Sequence, residues 1–502
     1  MGERTDGPDR VSEKTDSDAL APDPDTAKNA MGVTSVPAFP PELELRALSK
    51  VGRRLLPLVA CISFCLAMSR QHISIAAAAL ERDLGLSTVQ ISISMSSHTL
   101  VYAALQVPAT ALARRAGVRR SLAFMSLATG VIYMSTSCVR SFAALLACRI
   151  TMGIVQAATV PTVTFLISRF YGKHGMSKAF MLSFTLGGSI SNIFPGGALI
   201  LYAFRNATRL HEWQYLFLIE GILPVVLSVP LLLTLPGTPM ETKKFLDGDE
   251  HAAIVAKAEG MQETREVEWG DAGGRSGLLT LIGDARVLLM ASIAFFSLTT
   301  FGGVFWFQPQ LIEASSSSSS STTSGEGSGA LGIAALFNLI PSLIAMPMQF
   351  LYAWHSDKTG ERLYHALGGT CVICASIVLM AVQLAYGSPL AVRLLTLGFV
   401  EAGVSCYFIP FIAAQSDLLP SAIAPSGFAF VNTASAAGFA TGPVVTASLL
   451  ESTGSFETPF VALACISLAP IVLIACLIRK SWTRRRVSAA VMASESDADV
   501  TA

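Results

Sequence analysis

Hydrophobic positions along this chain gather into runs of about 20 residues, the length a helix needs to cross the hydrocarbon core of a bilayer. The runs fall at 55–79, 91–113, 119–139, 142–168, 178–204 and 213–235, and after a polar stretch they resume at 287–312, 330–354, 363–386, 388–412, 423–449 and 457–479. Backbone N–H and C=O groups find no water in lipid, so such runs must satisfy them internally, as helices. The pattern predicts an all-α membrane protein of twelve transmembrane helices in two six-helix halves. Residues 54–235 form the first half, 236–285 a linker and 286–480 the second half.

The polar segments set the expected topology. With the N-terminus placed in the cytoplasm, the short inner loops hold Arg114, Arg115, Arg119, Arg120, Arg169, Lys173, Lys178, Lys358 and Arg362. The outer loops hold Arg82, Arg140, Arg205 and Arg209. The bias follows the positive-inside rule and places both termini in the cytoplasm. The first 45 residues carry ten acids and four bases, so 1–53 is expected to be a disordered tail, as is 481–502. The linker is charged and helix-like from Met240 to Val267. An outer, Ser-rich loop spans 313–329 and should be flexible. Gly327, Gly329 and Gly332 have dinucleotide-motif spacing, but no strand precedes them, so that function is excluded. Asn206-Ala207-Thr208 is a glycosylation sequon on the expected outer side.

The two halves repeat. Gly153-Ile154-Val155-Gln156-Ala157-Ala158 matches Gly398-Phe399-Val400-Glu401-Ala402-Gly403, and the loop at 114–119 matches the loop at 357–362. Duplicated six-helix halves are the architecture of a carrier that rocks about a central site.

Composition narrows the chemistry. The chain is 52% hydrophobic and 14% charged, and mean hydropathy is +0.55, far from a soluble domain that is about a quarter charged. Net charge is zero, which gives no argument for a nucleic-acid partner. All nine cysteines lie in apolar runs, and the odd number argues against a disulfide framework. Cys371 and Cys374 form a C-x-x-C inside such a run and read as small apolar residues. There is no P-loop, nucleophile elbow or zincin signature, so no enzyme activity, cofactor or metal is expected.

At this level the chain resembles the major facilitator superfamily. Ser356-Asp357-Lys358-Thr359-Gly360-Glu361-Arg362 is similar to that family's acidic-basic-Gly-basic loop, and the copy at 114–119 departs from it, with Arg114 where an acid is usual. That departure resembles the anion:cation symporter branch: allantoate, nicotinate and vitamin permeases of fungi and, more distantly, sialin-like carriers. Arg70-Gln71-His72-Ile73 with Ala76 is similar to the branch's Asp-Arg-x-Asn-Ile signature, and Pro108 to Leu122 to its helix-two exit. Arg149, Gly153, Ala157, Pro161 and Tyr171 match its helix four, and Phe305-Trp306-Phe307 with Pro309 its helix seven. Trp213-Gln214-Tyr215-Leu216-Phe217-Leu218-Ile219-Glu220-Gly221 is the most specific match, and the resemblance spans about 54 to 480. It implies Arg114, Arg115, Gly117 and Arg119 in one gating loop, and Asp357, Lys358, Gly360 and Arg362 in the other.

Arg70 and Arg149 sit well inside predicted helices. A charge at that depth costs at least ~2.5–3.5 kcal/mol on insertion scales, so it normally faces a cavity or a partner. A guanidinium is a planar fork that matches a carboxylate. The resemblance implies that these two arginines hold a substrate carboxylate; the alternative is a structural ion pair. It also implies proton-carrying acids where this chain has Ser69 and Gln156. Glu401, the repeat partner of Gln156, is left to pair with an arginine or to take up a proton. Gln156, His98, Tyr102, Trp306, Gln308 and Asn432 are further lining candidates, each an apolar body or a single polar handle. Glu220 reads as structural. His72 stands about 200° around the helix from Arg70 and reads as a packing residue.

The function expected is a secondary active or facilitative carrier of a small organic anion of carboxylate, vitamin or ureide type, by alternating access. A proton or cation is the candidate co-substrate, the bilayer the surroundings, and a monomer in the plasma membrane the expected state. An exporter of an organic acid or secondary metabolite on the same fold is the rival, and a non-transporting nutrient sensor a weaker one.

Overall fold

The structure is a computed structural model, and it describes residues 39–171, 179, 183, 186–193, 196–204, 206–269, 284–317, 337, 339–419 and 424–501. The first half contains α1 (Pro41–Leu84), α2 (Thr88–Ala116), α3 (Val118–Thr136), α4 (Phe142–Gln156), α5 (Thr159–Phe170), α6 (Leu186–Ile193), α7 (Gly196–Ala203) and α8 (Glu212–Thr234). A short 3-10 helix (Pro239–Lys244) and α9 (Gly248–Trp269) form the connection. The second half contains α10 (Ala285–Phe305), α11 (Gln308–Ser317), α12 (Leu339–Thr359), α13 (Arg362–Ala385), α14 (Leu390–Leu418), α15 (Ala424–Thr453) and α16 (Glu457–Thr501).

Each predicted apolar run coincides with helix, to within a few residues, wherever it is described. Among the described residues, eight helical stretches are long and apolar enough to cross a membrane. α2 is not one of them. It carries Ser92, Ser94, Ser96 and His98, all buried inside the protein, so its lower hydropathy reflects protein neighbours in place of lipid. Most of the serine-rich loop, with the glycines at 327, 329 and 332, lies outside the described residues.

Two boundaries differ from the sequence expectation. α1 starts at Pro41, inside the segment expected to be a disordered tail, because its first turns have something to pack on. Ala47, Val51 and Leu55 are fully buried in a cluster that includes Leu246 and Ile254 of the connection. Lys50 Nζ reaches Glu250 at 2.8 Å, and Lys257 Nζ reaches Glu44 at 2.9 Å. At the other end α16 continues to Thr501, past the expected limit at 480.

Within each half the helices approach closely, at glycines. A Cβ on Gly438 or Gly442 of α15 would run into the α10 backbone at Phe295 and Thr299, and one on Gly130 of α3 into the α8 backbone at Gly221. Small residues are how membrane helices gain contact when lipid tails are as apolar as leucine. Gly117, between α2 and α3, and Gly360, between α12 and α13, both hold positive φ, +93° and +69°. The sequence repeat is therefore also a repeat of backbone conformation.

The halves meet chiefly along α2 and α15. Val89 N–H donates to Glu451 Oε1 (3.0 Å), Ser96 Oγ to the Ala440 carbonyl (2.5 Å) and Asn432 Nδ2 to Gln106 Oε1 (3.2 Å). At the end remote from α9, an apolar cluster joins Ile73, Ala76 and Ala77 of α1 to Trp306, Phe307 and Ala447 of the second half.

Gly438→Leu should force α10 and α15 apart and cost about 1–3 kcal/mol or more, as overpacking does. The expected result is a lower thermal unfolding midpoint and lower monodisperse yield in detergent, whereas Gly248→Ala, with open space at its Cβ, should leave both unchanged.

Candidate functional site

Three helices of the first half bring their polar residues to one place. α1 supplies Ser69 and Arg70, α2 supplies His98 and Tyr102, and α4 supplies Arg149 and, at its last residue, Gln156. Arg149 is 2% exposed. Its Nη1 donates to the Ser69 carbonyl at 3.2 Å, and its guanidinium carbon stands 6.0 Å from the centre of the Tyr133 ring. The Arg70 guanidinium lies over the face of Tyr102, 4.6 Å from the ring centre, within range for a cation–π contact. Tyr102 in turn stacks against His98 at 6.4 Å.

A directional chain of neutral hydrogen bonds runs beneath the arginines. His98 Nε2–H donates to Gln156 Oε1 (3.1 Å), Gln156 Nε2 donates to Ser69 Oγ (3.0 Å), and Ser69 Oγ donates to the Leu66 carbonyl (2.9 Å). Ser69, His98 and Gln156 are all buried and bonded to one another, which fixes their rotamers. Ser69, which the sequence offers only as the position of an absent acid, is the hub: its carbonyl orients Arg149 and its hydroxyl holds Gln156.

Glu220 of α8 is the acid nearest this layer with named partners, and it is committed elsewhere. It contacts His72 Nδ1 directly and accepts from Tyr133 Oη at 3.3 Å. All three groups are buried. The expectation that Glu220 and His72 are structural therefore acquires a mechanism: each is the other's partner.

The remaining candidates separate. Gln308 and Glu401 come together in the second half, where Glu401 Oε2 accepts from Ser342 Oγ (2.8 Å) and hydrogen-bonds to Gln308. No arginine is among these named partners. Trp306, 4% exposed, packs on Phe305 and Phe439. Asn432 is exposed, yet it reaches the cluster indirectly: it donates to Gln106, and Gln106 Nε2 donates to Tyr102 Oη at 3.4 Å. Gln106 follows Tyr102 by one helical turn, a spacing that places them on one face. That signal was available in the sequence. Nothing local marks Tyr133 or Ser342.

The loop residues anchor within their own halves or to the connection. Arg114 stacks over Phe165 (4.4 Å), and Arg119 Nη1 pairs with Glu241 at 3.1 Å. Arg115 is exposed. Lys358 lies over Trp354 (5.3 Å), and Arg362 Nη1 donates to the Ala413 carbonyl at 2.9 Å. The Asp357 side chain lies outside what is described.

A family model described as "Major Facilitator Superfamily" matches residues 59–412. This chain belongs to the Major Facilitator Superfamily. Among curated relatives, a protein of Agrobacterium vitis named "Putative tartrate transporter" is 26% identical over 422 residues, covering 83% of this chain and 90% of that one. The "Inner membrane transport protein RhmT" of Escherichia coli is 25% identical, covering 80% and 88%. Among solved structures, a D-xylose-proton symporter superposes with TM-score 0.65 at 14% identity, covering 84% of this chain and 96% of that one. The nucleoside transporter NupG superposes with TM-score 0.61 at 14% identity, covering 85% and 99%. The all-α two-half fold is thus that of the superfamily, and the chain is a multi-pass membrane protein.

Glu220→Ala would leave His72 and the Tyr133 hydroxyl buried without their acceptor, at about 1–3 kcal/mol for each group left unsatisfied. The thermal midpoint should fall clearly, while Asn432→Ala, at an exposed side chain, should change it little.

Proposed function

We propose that this protein is a carrier, not an enzyme, that moves a small organic carboxylate across a membrane by alternating access. The observation that carries the reading is the pair of arginines in the first half, sited beside a neutral hydrogen-bond chain and apart from the two acids described nearby. A guanidinium in low dielectric favours an anion strongly, since charges attract more strongly there than in water. The name of the tartrate transporter relative supports the same class of cargo.

In this reading Arg70 and Arg149 bind the carboxylate, with Tyr102, His98 and Gln156 holding them in place. The halves 54–235 and 286–480 rock about the site, the linker 236–285 joins them, and the loops at 114–119 and 357–362 act as latches. Asn432 and Gln106 report the second half to the first. Glu401 carries the coupling proton, because the positions that otherwise hold acids are Ser69 and Gln156. Its carboxylate accepts a hydrogen bond from Ser342 Oγ in the second half. The protein works as a monomer in the plasma membrane with both termini in the cytoplasm, as the lysine and arginine bias supports.

Arg149→Ala should abolish uptake of carboxylates in cells while leaving surface expression intact. Normal uptake by that variant would remove the basis of the anion site. Glu401→Gln should abolish accumulation driven by a pH gradient yet preserve exchange of labelled for unlabelled substrate in proteoliposomes.

A further inference from the structure

Four buried nitrogen atoms in the arginine cluster have no hydrogen-bond partner among the described residues: Nε and Nη2 of Arg70, and Nε and Nη2 of Arg149. The choice of atoms is informative. Nε–H and Nη2–H point from the same edge of a guanidinium, as two parallel donors spaced to meet the two oxygens of one carboxylate. On Arg149 the Nη1 corner is already occupied by the Ser69 carbonyl, so what remains is a single side-on fork. On Arg70 the flat face is covered by the Tyr102 ring, and the same edge is left over. The two guanidiniums border one site, because a continuous chain of contacts joins them: Arg70 lies on Tyr102, Tyr102 stacks on His98, His98 donates to Gln156, Gln156 donates to Ser69 Oγ, and the Ser69 carbonyl accepts from Arg149.

The neighbouring polar groups do not fill these forks. Ser69, Gln156 and His98 satisfy one another, Glu220 is taken by His72 and Tyr133, and Glu401 by Ser342 and Gln308. A substrate with one carboxylate would fill one fork and leave the second cation buried without a counter-charge, which is the costly arrangement. We propose that the cargo is a dicarboxylate, with one ionised carboxylate seated on the Nε–Nη2 edge of Arg70 and the other on that of Arg149. This inference rests on the carrier reading above and narrows it from organic anions to those with two acid groups.

The test uses the purified full-length protein and matched C4–C6 ligands: succinate, adipate and tartrate against butyrate, hexanoate and succinamate, the last replacing one carboxylate of succinate by a neutral amide. Affinity is read from ligand-induced thermal stabilisation and from uptake into proteoliposomes. Each charge-assisted fork lost should weaken binding at least about tenfold, so a dicarboxylate should exceed its monocarboxylate match by that factor or more. Arg70→Lys and Arg149→Lys keep the charge and lose the fork, and each should bring the ratio toward one. Should either variant fail to fold, the ranking on the unaltered protein decides. Monocarboxylates binding as tightly as their dicarboxylate matches would overturn the inference and leave the carrier reading standing. A protein that responds to neither class would sink both.

Discussion

The arrangement of the first half depends on one constraint: two guanidiniums whose Nε–Nη2 edges are buried and meet no hydrogen-bond partner among the described residues. Such charges are expensive in a low-dielectric interior, and the fold manages them without neutralising them. A backbone carbonyl takes one corner of Arg149, and an aromatic face covers Arg70. The amide and hydroxyl of Gln156 and Ser69 fill the layer below with neutral groups. Glu220, the acid that could have closed the site from α8, is held instead by a histidine and a tyrosine. An aspartate at position 69 or a glutamate at 156 would sit directly on this network, so the neutral residues at those positions keep the arginines available.

The second half contributes differently. Its acid, Glu401, sits with Ser342 and Gln308, and the path from α15 to the arginines runs through Asn432, Gln106 and Tyr102. Within halves, glycines bring helix backbones into direct contact, as at Gly438 on Phe295 and Gly130 on Gly221, which makes each half stiff. Between halves the described links include isolated hydrogen bonds such as Val89 to Glu451, and an apolar seal around Trp306 at one end. Stiff bodies joined by separable contacts are what rocking about a central site requires.

Trp306 shows what residue type leaves open. A buried aromatic reads equally well as a pocket wall or as packing, and the structure sets this one against Phe305 and Phe439. Asn432 shows the reverse: it reaches the site only through a second side chain that local pattern did not single out. The start of α1 is a third case. A stretch rich in acids and prolines reads as a solvated tail until Glu44 and Lys50 meet Lys257 and Glu250, about 200 residues away in the chain.

By itself the sequence determined the class of molecule, because hydropathy over some twenty residues is a local quantity that lipid reads directly. It also determined the duplication, the paired glycines at 117 and 360, and the depth of Arg70 and Arg149, since each depends on order and spacing alone. Tertiary structure decided which edge of each guanidinium stays open, that Ser69 is a hub, and that Glu220 answers to His72 and not to an arginine. Those outcomes hang on how helices rotate and slide against one another, and a shift of one residue along a helix turns a side chain by about 100°. No local pattern carries that angle.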